Sequence, residues 1–213
     1  SEMDSLNMAF MVNLSGFRGL YLKKSLENVK KNAPTRFGLF LNLDFEKIDE
    51  KDFESNTLKI INDSYNQGVM GLKIYKSLGL TDKDSNGNRI KINDPRLKPI
   101  WELCGKLKIP ILIHSGDPEP FWSNKDKYNE RWLELRQKPG RYMGDSNKYP
   151  SFKEVISEQH DIFENNPETI FINAHLGWMG NDLDALSNHL DKYPNVMTEI
   201  GAVLAELGRQ PKR

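Results

Sequence analysis

The chain has little of the chemistry that defines several protein classes, and each shortage excludes something. A single cysteine, Cys104, stands among 213 residues. One thiol makes neither an intramolecular disulfide framework nor a CxxC-type zinc site. It lies in "PIWELCGKLKIP" among helix-forming residues, which predicts a buried structural thiol rather than a nucleophile. No apolar run approaches the roughly 20 residues of a membrane span, and "SEMDSLNMAF" has no basic stretch leading into an apolar one. Excess charge of either sign is missing too, since 30 basic residues balance 30 acidic ones. No global field favours nucleic acid or an anionic membrane. A soluble, cytoplasmic protein in a reducing compartment, with neither nucleic acid nor membrane as partner, is the expectation. Neither GxGxxG nor GxxxxGK[ST] occurs, so nucleotide binding has no phosphate loop behind it.

What is present is alternation. Apolar or β-branched runs occur at 8–14 ("MAFMVNL", stopped at Ser15 and Gly16), 36–45 ("RFGLFLNLDF"), 69–75 ("VMGLKIY"), 110–116 ("PILIHSG"), 169–177 ("TIFINAHLG") and 195–201 ("NVMTEIG"). Segments of helical period separate them. "LYLKKSLENVKKN" spaces Leu22, Leu26 and Val29 on one face, "DFESNTLKIINDSYNQG" stops at Gly68, and "PRLKPIWELCGKLK" begins at a proline. "SFKEVISEQHDIFENN" opens with Ser151 as N-cap and Glu154 at the capping-box position. Six near-continuous apolar strands alternating with helices predict buried parallel strands joined by right-handed crossovers. An open doubly wound sheet and a (β/α) barrel both satisfy that pattern. The missing phosphate loop favours the barrel, whose chemistry belongs at the C-terminal strand ends.

Polar residues fall at those ends: Asn13 and Ser15, Asn42 and Asp44, Lys73 and Tyr75, His114 and Asp117, Asn173 and His175, and Glu199. Two imidazoles, a lysine and several carboxylates converging on one bowl match a divalent-metal hydrolytic centre, because these ligands suit zinc, manganese or iron. His160 and His189 sit on predicted outer helices and read as structural. Lys73, if buried, must be paired, neutral or modified. Two connections are long. One carries a turn at Ser85–Asn86–Gly87–Asn88; the other, 117–150, is a lid-like insertion with two tryptophans and three arginines. Trp122, Trp132 and Trp178 are either packing residues or substrate contacts. Arg131, Arg136 and Arg141 could clamp a substrate carboxylate.

"GLKIYKSLGL", "PILIHSGDP…FW…NERWLEL", "FINAHLGW" and "YPNVMTEIGAVLAELGRQP", in this order, resemble the amidohydrolase-related family of metal-dependent TIM-barrel hydrolases. The branch that includes aminocarboxymuconate-semialdehyde decarboxylase is the one resembled. The resemblance implies a (β/α)8 barrel seen from its second to its seventh strand, apparently incomplete, with 1–213 as one partial domain. It implies that His114 is a metal ligand and that His175 is a ligand or the general acid/base. Lys73, unmodified, falls at the fourth-strand lysine and Glu199 at the end of the seventh strand, both expected to be catalytic; beside the resemblance, Trp122, Trp178 and the three arginines are expected to bind substrate. The family's first-strand HxH pair and eighth-strand aspartate are not in this sequence, so the chain is expected to lack part of the site for zinc (or manganese or iron). The function implied is metal-dependent hydrolysis of an amide, lactone or similar bond in a small carboxylate. Non-oxidative decarboxylation and a non-catalytic barrel remnant are the alternatives. Two open strand edges predict a homo-oligomer.

Overall fold

The computed structural model describes residues 2–15 and 17–211, so the predicted stop at Gly16 lies outside the described residues. In chain order the elements are α1 (Glu2–Ser5), β1 (Met11–Asn13), α2 (Gly19–Asn32), β2 (Phe37–Asn42), α3 (Phe53–Gln67), β3 (Gly71–Ile74), α4 (Ser77–Leu80), α5 (Lys98–Leu107), β4 (Ile111–Ile113), α6 (Trp132–Gln137), α7 (Phe152–Asn165), β5 (Phe171–Asn173), α8 (Leu183–Lys192), β6 (Val196–Thr198) and α9 (Leu204–Gly208). The six strands are parallel and lie in sequence order, β1-β2-β3-β4-β5-β6, as a curled half-barrel.

Local chemistry sets the element ends. Ser151 and Glu154 form the reciprocal capping box of α7. Gly68 closes α3 in the left-handed conformation at φ 103°, where a side chain would be strained. Asp94 accepts the Arg96 amide to start the turn Pro95–Leu97 that leads into α5. At the predicted turn, Asp84 Oδ1 accepts from the amides of Asn86 and Asn88, and Lys83 bridges Arg89 antiparallel.

The strand faces divide the core. Leu39, Leu41, Leu72, Ile74, Ile111, Ile113 and Phe171 point outward and pack with Ile61, Trp101, Ile162 and Phe163 of the covering helices. Leu72 is 0% exposed; truncating a side chain so placed to alanine costs about 2–5 kcal/mol. Cys104 belongs to this layer, and burial pushes its thiol up to about 12, which fits the structural role. Inside the curl, Phe40, Leu112 and Ala174 form a smaller cluster. The register aligns Asn42, Lys73, Leu112, Ile172 and Met197 across five strands. Alternation then puts His114 and Glu199, two residues beyond Leu112 and Met197, on the same inner side.

One strand departs from the expectation of uniform burial. Met11, Val12 and Asn13 of β1 are all exposed. Among the described residues β1 pairs with β2 alone, so one of its edges has no strand from these residues to cover it. The 117–150 segment is ordered by α6 and by the turns Glu119–Phe121 and Pro139–Arg141, over a cluster of Leu80, Met143 and Val155 with Trp122 at its border.

Candidate active site

At the mouth of the curl the rings of His114 and His175 meet edge to face, with centroids 4.5 Å apart. Trp178 stacks beside both, 4.8 Å from His175 and 5.8 Å from His114. His114 follows directly from β4 on its inner side. Burial, then the neighbouring His175, Lys73 and Lys76, push its pKa down to about 3, with a backbone hydrogen bond at Gly116 in opposition. Its imidazole is therefore neutral at physiological pH, and its Nε2 is buried without a hydrogen-bond partner.

His175 arrives differently. It shares the parity of Asn173, whose side chain faces α7 and is 0% exposed, so a continuing strand would carry His175 outward. Instead the backbone makes a left-handed turn, with φ of 59°, 55°, 59° and 62° at His175, Leu176, Gly177 and Trp178. Positive φ at three non-glycine residues costs energy that surrounding contacts must offset. Glu199 Oε1 accepts the His175 amide at 2.7 Å, and the Leu176 amide donates to the Glu199 carbonyl at 2.9 Å. Trp178 Nε1 donates to the Ser115 carbonyl at 3.1 Å. From below, Gln159 and Asn173 exchange amide hydrogen bonds at 3.0 and 2.9 Å. A Cβ on Gly177 would stand 2.4 Å from Asn173 Nδ2, so the turn sits on that pinned amide.

His175 Nδ1 is 2.8 Å from the Gly201 carbonyl and 3.1 Å from Glu199 Oε1. Two acceptors at Nδ1 favour the tautomer with its proton there, which leaves Nε2 for proton exchange. Glu199 also accepts the Gly201 amide through Oε2 at 2.5 Å, so both of its carboxylate oxygens hold the His175 turn.

Lys73 is 6% exposed. Burial lowers its pKa to about 8, against a raising influence from Glu199. Asp117 is taken by Lys76, whose Nζ lies 2.9 and 2.7 Å from the two carboxylate oxygens. In the lid, Arg131 pairs with Glu206 and Glu134, Arg141 pairs with Glu134, and Arg136 is exposed on α6. Trp122 donates to the Pro150 carbonyl at 2.7 Å and packs on Phe152. The structure thus brings His114, His175, Trp178 and Glu199 together, with Lys73 in the same bowl, and holds Arg131, Arg141 and Trp122 in contacts of the lid. Lys76 and Gln159 are absent from the strand-end reading. Gln159 had a signal: with Glu158 it is polar inside the buried stripe that also holds Val155, Ile162 and Phe163 of α7. His160 and His189 lie on the outer helices as expected, but against one another, with ring centroids 4.7 Å apart.

The resemblance seen in the sequence implies a divalent metal at this mouth. His114 Nε2, buried and unpartnered, fits one ligand, and His175 is in ring contact with it. Among the described residues no group of three or more His, Cys, Asp or Glu could hold a metal ion, and zinc sites take at least three protein ligands. The described residues do not by themselves make such a site.

A family model described as Amidohydrolase matches residues 42–212, and the chain belongs to that family. Among solved structures it is similar to a 2,6-dihydroxybenzoate decarboxylase complexed with 2,6-dihydroxybenzoate, at 16% identity and TM-score 0.55 over 96% of this chain and 70% of that one. It is similar to a 4-oxalomesaconate hydratase from Rhodopseudomonas palustris, at 13% identity and TM-score 0.53 over 93% and 57%. A 5-carboxyvanillate decarboxylase from Novosphingobium aromaticivorans, complexed with manganese, matches at 13% identity and TM-score 0.50 over 90% and 52%. At such identities the likeness is one of fold. The chain spans 52% to 70% of the length of these structures. No curated protein matches it. Among the described residues no helix is long and apolar enough to cross a membrane.

Proposed function

We propose that this chain carries the proton-transfer part of a lyase site acting on a small carboxylate, with non-oxidative decarboxylation as the reaction. The carrying observation is the His114–His175 pair at the strand mouth, one imidazole held neutral and the other oriented through Nδ1 by Gly201 and Glu199. In decarboxylation the bond to the carboxylate carbon breaks, carbon dioxide leaves, and the remaining carbon takes up a proton. His175 is the group placed to deliver it, since imidazole exchanges protons near neutral pH. Trp178 packs beside both rings, and Lys73 adds a second titratable group facing the bowl. Because the described residues do not by themselves complete a site for zinc, manganese or iron, no step here depends on a metal.

The three solved structures named above are two decarboxylases and a hydratase, which favours carbon–carbon or carbon–oxygen lyase chemistry over the hydrolysis read from the sequence. The test is carbon dioxide release from hydroxylated aromatic and unsaturated carboxylates by the purified chain, with and without added zinc or manganese. Release above the uncatalysed rate supports the reading. Hydrolysis of an amide or lactone panel without any carbon dioxide release overturns it in favour of a hydrolase.

A further inference from the structure

At the end of the strands opposite His114, the last turns of α5 and α7 border a cleft of about 430 Å³, lined in part by Gly105, Lys106, Lys108, Asn166 and Glu168. Each helix ends just before a strand begins, α5 before β4 and α7 before β5, and those strands start in register at Ile111 and Phe171. Gly105 lets the segments approach: a Cβ there would stand 2.7 Å from Thr169 Oγ1 and 3.1 Å from the Glu168 carbonyl. The volume falls within the range of small-ligand sites.

Asn166 is 6% exposed. Its Nδ2 donates to the Ile162 carbonyl at 2.8 Å, which fixes the orientation of the amide, and its Oδ1 is buried without a hydrogen-bond partner. A buried acceptor without a donor is costly, so the cleft calls for a ligand that brings one. The charges around it are uncommitted. Lys106, Lys108 and Glu168 are exposed, and among the described residues none of the three makes an ion pair. Glu102, also on the wall, pairs with Lys98 at 3.6 Å. Lys108 stands at the C-cap of α5 with φ 55° and ψ 36°, the left-handed conformation in which glycine is usual. A cation therefore occupies a backbone position that strains it. The walls offer two cations to an anion, and a carboxylate with an amide oxygen to a donor.

We propose that this cleft is a second ligand site, at the other end of the strands from the bowl, and that it takes a free amino acid: the ammonium on Asn166 Oδ1 and Glu168, the carboxylate on Lys106 and Lys108. The inference does not depend on the reaction proposed above, because it uses none of the residues placed there.

The experiment is calorimetric titration of the full chain with L-alanine, L-serine and L-glutamine, and with propionate and ethylammonium, which each carry one of alanine's two charges. It is repeated on Glu168→Gln and on Lys106→Gln combined with Lys108→Gly. These positions are exposed and glycine suits the left-handed cap, so the variants retain the fold, which a thermal melt checks. The expected pattern is binding of at least one amino acid, with propionate and ethylammonium weaker by roughly tenfold or more, the effect of losing a bond to a charged group. Each variant should weaken the bound amino acid by a similar factor, and the side-chain amide resonance of Asn166 should move on binding to the wild-type chain. No binding of the three amino acids at millimolar concentration overturns the proposal and leaves Asn166 Oδ1 to a buried water. Unchanged affinity in either variant, equal binding of propionate or ethylammonium, or an unmoved Asn166 resonance overturns it as well.

Discussion

Gln159 and Asn173 exchange two amide hydrogen bonds, 3.0 and 2.9 Å long, between side chains that are both 0% exposed. The pair joins α7 to the end of β5, directly beneath the turn that carries His175. Replacing Gln159 with leucine leaves the Asn173 amide buried without partners. Such a loss costs about 1–3 kcal/mol, so the midpoint of urea denaturation should fall. Glu at 159, which retains one acceptor, should cost less than leucine if the hydrogen bond to Asn173 is what matters.

Gly177 supports the same turn through the absence of a side chain. An alanine there meets Asn173 Nδ2 at 2.4 Å and must hold φ near 59°, and the amide cannot swing aside because Gln159 pins it. Gly177→Ala should therefore destabilise by about 1–3 kcal/mol and shift the His175 imidazole resonances in a proton–nitrogen spectrum. Unchanged imidazole resonances would show that the turn does not set the ring's position.

Acid should loosen the outer corner between α7 and α8. Burial lowers the pKa of both His160 and His189, the latter to about 4, and His189 is 5% exposed with neither ring nitrogen hydrogen-bonded. The native state favours the neutral rings, while the unfolded chain titrates near 6.5. The stabilisation is complete above that value and is lost as pH falls from about 6.5 toward 4. His189→Phe should remove on the order of 2 kcal/mol of this dependence. Denaturation midpoints compared at pH 7 and pH 4.5 measure it.

The free edges of β1 and β6 predict self-association. Phe10, Met11 and Val12 lie exposed on one side, and Met197, Ile200 and Leu204 on the other. Unpaired strand edges with apolar side chains recruit further strands. Light scattering should report a mass that rises with protein concentration. A sharp monomer across the concentration range would contradict the prediction.

Much of the architecture was legible because buried parallel strands write continuous apolar runs and their helices write a 3.6-residue period. The Ser151–Glu154 cap and the Gly68 stop follow from local chemistry alone. His114 was legible as well, since strand parity carries it from Leu112 to the mouth. His175 reached the site for a reason the strand pattern does not contain: alternation points it outward, and a left-handed turn brings it back. The ion pairs of Arg131 and Arg141, and the capture of Asp117 by Lys76 rather than Lys73, depend on contacts between segments far apart in sequence. Periodicity carries no information about those contacts.

The most direct test of the central claim compares carbon dioxide release by the wild-type chain and by His175→Asn, on a carboxylate that both bind. Asparagine retains polarity but cannot exchange a proton near neutral pH. The account predicts a fall of roughly 10²-fold or more in turnover with binding of the carboxylate preserved. Turnover by His175→Asn at the wild-type rate would contradict it and remove His175 from the chemistry.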